Sequence, residues 1–139
     1  MRFALAFLII LVSTVSFTLA ATGCSRLPEY VVSVQADPGV TWWAHLEVKR
    51  SLGGGGWEGD FTRIPLKYDE WDRDSWEVTL KHKTERGQHA RIISVSIAAR
   101  KTGGEGSIRV VIMRDGEVVA QAETSQTGAK ASCEYAEDY

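Results

Sequence analysis

A chain of 139 residues, 44% hydrophobic and 24% charged, is sized for one globular domain, which excludes a disordered tail and a multidomain enzyme. With 16 Lys+Arg against 18 Asp+Glu, a formal net charge of -2, it has no basic surplus and no local basic stripe to neutralise phosphates, so no nucleic-acid partner is expected. The sequence contains no Asn; it therefore carries no N-glycosylation sequon, and its tight turns must use Asp-Gly or Gly-Gly.

The first element is an address. Met1-Arg2 precedes Phe3 to Val12, ten residues without a polar side chain, and a mixed stretch then ends in Ala20-Ala21-Thr22-Gly23-Cys24. A positive start, an apolar middle and small residues at the end are the marks of a secretory signal helix over residues 1–23. Three endings fit. Ala21-Thr22-Gly23-Cys24 resembles a bacterial lipobox, in which small residues admit the peptidase and the Cys24 thiol takes a diacylglyceryl group, anchoring the protein to the membrane. Cleavage after Ala20 or Ala21 releases a soluble protein instead. An uncleaved Phe3 to Ala21 is just long enough to span a bilayer, although Ser13, Thr14, Ser16 and Thr18 weaken it. Removing residues 1–23 removes Arg2 and no acid, so 16 Lys+Arg become 15 against 18 Asp+Glu and the exported part is mildly acidic. The two cysteines, Cys24 and Cys133, stand near the two ends of that part. Lipidation of Cys24 leaves Cys133 a lone thiol; a free Cys24 allows an end-to-end disulfide in an oxidising compartment.

After a tether over 24–28, residues 29–139 read as strands and turns. Glu29 to Ala36 alternates weakly until Asp37-Pro38-Gly39 turns it. Val40 to Arg50 alternates clearly, with Val40, Trp42, Ala44, Leu46 and Val48 on one face and Thr41, Trp43, His45, Glu47 and Lys49 on the other. The run of glycines from Gly53 to Gly56 has no Lys-Ser/Thr after it and reads as a hairpin connection, not a phosphate loop. Phe61 to Lys67 is a short edge strand, since Pro65 lacks a ladder donor. Trp76, Val78, Leu80 and His82 form the inward series of the next strand, and Ile93, Val95 and Ile97 that of the one after. Ser107 to Arg114, the turn Asp115-Gly116 and Glu117 to Glu123 make a hairpin; Ala129 to Tyr135 is a last strand. Seven or eight strands at short spacing predict an all-β antiparallel sandwich.

Candidate sites are few. Asp69-Glu70-Trp71-Asp72-Arg73-Asp74 offers carboxylates of the kind calcium takes, but it lacks the Gly and distal Glu of an EF-hand and reads as a solvated acidic loop. His45, His82 and His89 have no ligand partners at metal spacing and are expected at the surface, so no metal is assigned. Cys133 lies among short strand neighbours, and no nucleophile motif, carboxylate pair or cofactor fingerprint is present; neither an enzyme nor a cofactor is expected. Five tryptophans fall within 35 residues. Trp42 and Trp76 belong to inward faces, whereas Trp43, Trp57 and Trp71 fall outward or in loops. With Arg63 and Arg73 they compose a candidate partner-binding patch, because Trp and Arg dominate interface hot spots. A packed lid over the sandwich is the plainer account of the same indoles.

The stretch Ile93 to Tyr135, with its run from Gly106 through Asp115-Gly116 to Ala120 and then Ala131-Ser132-Cys133, resembles the MmpS family of small membrane-anchored envelope proteins. Val40 to Val48 and Ile64-Pro65-Leu66 look like that family's first hairpin and apolar-Pro segment, with Leu66 where a Trp is usual. The resemblance implies an immunoglobulin-like β-sandwich outside the membrane, acting as an accessory to MmpL-type lipid and siderophore exporters of the RND superfamily. Two features depart from the pattern: Ile108 to Met113 contains no Cys to pair with the last-strand Cys, and the N-terminus looks like a lipobox where the family keeps an uncleaved helix. The expected function is a membrane-tethered extracytoplasmic binding module; the alternative is a freely secreted small binding or inhibitor domain.

Overall fold

The computed structural model describes residues 26–53, 56–64, 75–83 and 86–138, without the side chains of Trp57, Glu58 and 60–64. Residues 1–23, read above as a signal segment, together with Cys24, Pro65 and the acidic stretch 69–74 with Trp71 and Arg73, lie outside the described residues.

Eight strands form two antiparallel sheets: β1 Tyr30–Ala36, β2 Thr41–Gly53, β3 Gly56–Ile64, β4 Ser75–Leu80, β5 Arg91–Gly103, β6 Ile108–Arg114, β7 Glu117–Thr124 and β8 Lys130–Ala136. One sheet has the order β4-β1-β6-β7 and the other β3-β2-β5-β8. The protein is thus the expected all-β antiparallel sandwich. Only β2-β3 and β6-β7 are hairpins between sheet neighbours; every other connection passes from one sheet to the other. The glycine run joins β2 to β3 as expected, and Asp115 (φ 51) with Gly116 (φ 82) supplies the two positive φ values of a type I′ hairpin turn.

The central strands carry the core. Tyr30, Val32 and Val34 of β1 and Ile108, Val110 and Ile112 of β6 face Trp42, Ala44, Leu46 and Val48 of β2 and Ile92, Val95, Ile97 and Ala99 of β5, all buried. The edge strands β4, β7 and β8 contribute half-buried side chains, Trp76 and Cys133 among them. Strict alternation on β2 follows from this arrangement, since one face of its sheet meets the core and the other meets solvent.

Two expectations are corrected. The inward residue at the start of β5 is Ile92, not Ile93, because the β2-β5 register shifts between Lys49 and Arg50 and a bulge there reverses the alternation. His82 is not a surface histidine: it is half-buried, and both ring nitrogens are engaged. The reason is local. Ile92 N–H donates to Nδ1 at 3.1 Å, so Nε2 carries the proton and donates to the Pro28 carbonyl at 2.6 Å.

The sandwich has two ends. At the near end, where residue 26 leads into β1, the Glu29 N–H donates to Asp115 Oδ1 at 2.9 Å and the Asp115 N–H donates back to the Glu29 carbonyl at 2.8 Å. At the far end, Asp37 N–H donates to the Ser107 carbonyl, and Ser107 N–H returns to Asp37 Oδ2 at 2.8 Å. Gly104 (φ 85) approaches the backbone of Gly39 and Val40 so closely that any Cβ there would collide with it. Each end is also capped by a buried cation with an aliphatic stem. Arg50 Nε donates to the Lys81 carbonyl at 3.0 Å at the near end, and Lys101 Nζ donates to the Ser125 carbonyl at 2.8 Å at the far end.

Candidate functional site

The outer face of the β3-β2-β5-β8 sheet holds the outward tryptophan. Because β2 alternates, Trp43, His45, Glu47 and Lys49 share that face, all half-buried. Trp43 meets the His45 ring edge-on at 4.9 Å between centroids, and the Arg100 guanidinium stands 5.8 Å from the indole centroid. The register explains the second contact: Trp43 lies opposite Arg100 on β5, and Arg100 opposite Lys130 on β8. Beyond this cationic-aromatic row β5 contributes only short side chains, since His45 lies opposite Ala98 and Ala98 opposite Ser132, while β2 continues with Glu47 and Lys49 and β8 with Glu134 opposite Ser96. Ser96 and Ser94 continue the series. A half-buried indole and guanidinium beside a strip of Ala and Ser, flanked by charged side chains, is a mixed surface of the kind protein partners cover.

Of the residues expected to form the patch, β2-β3 pairing places Arg63 opposite His45, next to Trp43 along the sheet. Trp57 lies opposite Ser51, six residues along β3 from Arg63 and therefore about 20 Å away at the strand repeat. Those two strand positions are at opposite ends of the sandwich. Trp71 and Arg73 fall outside the described residues. Arg100 is the partner that sequence reading missed, because only cross-strand register brings it beside Trp43.

The chain matches no family model and no curated protein.

The remaining reactive groups are occupied in holding the fold. Cys133 carries a free thiol on the inner side of β8, with Sγ 3.9 Å from the Val110 carbonyl; burial pushes its pKa up to about 11. A thiol so shifted stays protonated at neutral pH and is a poor nucleophile. At the near end Glu137 accepts hydrogen bonds from the Tyr30 hydroxyl and from Arg114 Nε, the latter at 2.6 Å. Burial alone would raise the Glu137 carboxyl, but the Tyr30 and Arg114 hydrogen bonds, with the charges of Arg114 and Arg91, hold it below its ordinary value. Tyr30 is raised by burial and by its bond to Glu137. This triad joins the two sheets, since Tyr30 and Arg114 belong to one and Glu137 follows β8 of the other. Among the described residues, no three His, Cys, Asp or Glu side chains converge as a metal-ligand set, and no helix is long and apolar enough to cross a membrane.

Proposed function

We propose that this protein is a lipoprotein of the bacterial cell envelope, tethered through Cys24, whose sandwich binds another envelope protein and catalyses nothing itself. The observation that carries the binding role is the Trp43-Arg100 pair on an outward sheet face, next to the short side chains Ala98 and Ser132. An indole held half in solvent by an arginine is the composition of an interface anchor. The tether reading comes from residues 1–24, and it suits a weak binder. Confinement to one membrane raises the local concentration of the domain to about the millimolar range, where modest contacts suffice. The resemblance to the MmpS family names the first partner to test, an MmpL-type exporter.

The experiment is affinity purification of the full chain from host membranes after in-cell cross-linking, together with detergent phase partition. The full chain is expected in the detergent phase with the exporter cross-linked to it. Trp43→Ala and Arg100→Ala are each expected to cut that capture about tenfold, as loss of one hot-spot side chain does. Capture unchanged by both substitutions rules out this face. Recovery of an unmodified chain in the aqueous phase rules out the tether and leaves a secreted binding domain.

A further inference from the structure

Among the described residues only Leu27, Leu52 and Val118 are large apolar side chains left exposed, at 38%, 42% and 52%, and all three lie at the near end of the sandwich. Leu27 and Leu52 share one shallow concavity with Ser51, His89, Ala90 and Arg91. Arg91 lines it, Lys83 pairs with His89 beside it, and the β4-β5 connection that carries it also bears the exposed cations Lys81 and Arg86. No Asp or Glu occurs among the described residues of 81–91; Glu85 lies outside them.

The other half of the same end is different in charge. It carries the β6-β7 hairpin with Asp115 and Glu117, beside Glu29, and these acids are interspersed with Arg26 and Arg114. Glu137, between the halves, is engaged by Tyr30 and Arg114. The near end is thus divided into an apolar side on the β4-β5 connection, whose described charges are all cationic, and a side of mixed charge on the hairpin.

Chain length fixes what that end faces. Cys24 precedes Arg26 by two residues, so at most about 7 Å of extended chain separates a lipid on Cys24 from the described domain. Pro28 and Glu29 are themselves bound to His82 and Asp115, so the last stretch before the domain has no slack to swing it away. We propose that the Leu27-Leu52 concavity and its cation rim are a docking surface for anionic lipid. The sandwich leans onto the membrane with its β4-β5 side, and the hairpin side turns outward. The closeness to the bilayer rests on the Cys24 anchor proposed above; the affinity for anionic headgroups does not. Shallow insertion of leucines with lysine and arginine at the headgroups is the usual chemistry of such contacts.

The test uses the full chain, with an environment-sensitive fluorescent amino acid replacing Leu52, Val118 or Gln126 in turn. The variants are mixed with vesicles of brominated phosphatidylcholine, with and without phosphatidylglycerol. Gln126 is exposed at the far end and serves as the distant reference. Quenching at position 52 is expected to exceed that at 126 roughly threefold in anionic vesicles, with 118 near the reference. Lys83→Gln and Arg86→Gln are each expected to weaken the anionic-lipid contact about fivefold. Flotation on both vesicle types with quenching confined to position 52 supports the docking. Flotation on both with equal quenching at all three positions overturns the docking and leaves the anchor standing. Flotation on anionic vesicles alone, lost in the Lys83→Gln/Arg86→Gln double variant, supports the docking and overturns the anchor. Absence of flotation overturns both.

Discussion

His82→Ala removes one side chain that holds three segments together. Its ring links the Pro28 carbonyl before β1 to the Ile92 amide in β5, and it lies 6.1 Å from the Tyr30 ring. Alanine cancels two hydrogen bonds, worth about 1 kcal/mol each in net terms, and leaves a part-buried amide and carbonyl unpaired at a further cost of about 1 kcal/mol or more. The expected loss is about 2–4 kcal/mol, or about 10–25 °C in Tm for a domain of this size. The isosteres divide that loss. His82→Asn keeps an acceptor where Nδ1 stands and spares the Ile92 amide; His82→Gln reaches toward the Nε2 position and spares the Pro28 carbonyl. Each is expected to lose about half of what alanine loses. Urea unfolding followed by tryptophan fluorescence measures the series, and amide exchange at Ile92 should accelerate in His82→Ala and His82→Gln but not in His82→Asn. If alanine costs less than about 0.5 kcal/mol, the bridge is not what fixes the chain at this end.

Three further outcomes are expected. Glu137 is held below its ordinary carboxyl value of 4.5, so its contribution to stability is present above that pH and is lost as pH falls through the lower folded value; unfolding across the acid range should show a shallower loss in Glu137→Gln than in the parent. The Cys133 thiol, raised to about 11 by burial, should alkylate far more slowly at mildly alkaline pH in the folded protein than in denaturant, and equal rates would contradict its placement. Gly104→Ala combines a positive φ of 85 with a Cβ placed 2.9 Å from the Val40 Cα, and should cost more than about 2 kcal/mol, whereas an equally surface-placed Gly128→Ala meets only the φ penalty.

The strands were legible wherever one face alone is buried. β2 shows its alternation because its sheet is wet on one side, and the β6-β7 hairpin shows itself because Asp115-Gly116 is a turn that few other pairs can make. The start of β3 was not legible, since Gly56, Glu58, Gly59 and Asp60 present no apolar alternation; they are strand only because β2 continues to Gly53 and offers them a partner. The exchange of Ile93 for Ile92 at the core depends on a bulge, a decision taken between two strands and invisible in either. His82 was placed on the inward series of its strand, yet its partners are carbonyl and amide groups of the backbone, which no side-chain spacing announces. The candidate site divides in the same way. That Trp43 and His45 share a face follows from alternation, while Arg100, 57 positions further along the chain, reaches them only through register.

The strand order also sets a sequence of events for a chain that emerges from its N-terminal side. β1 is flanked by β4 and β6, so the first strand to appear has no complete place to pair until Arg114 is out. The second sheet likewise waits for β8 to close its edge beside β5. Such distant pairings slow folding relative to folds built from local contacts. Neither sheet can therefore be completed until nearly all of the strands are present together.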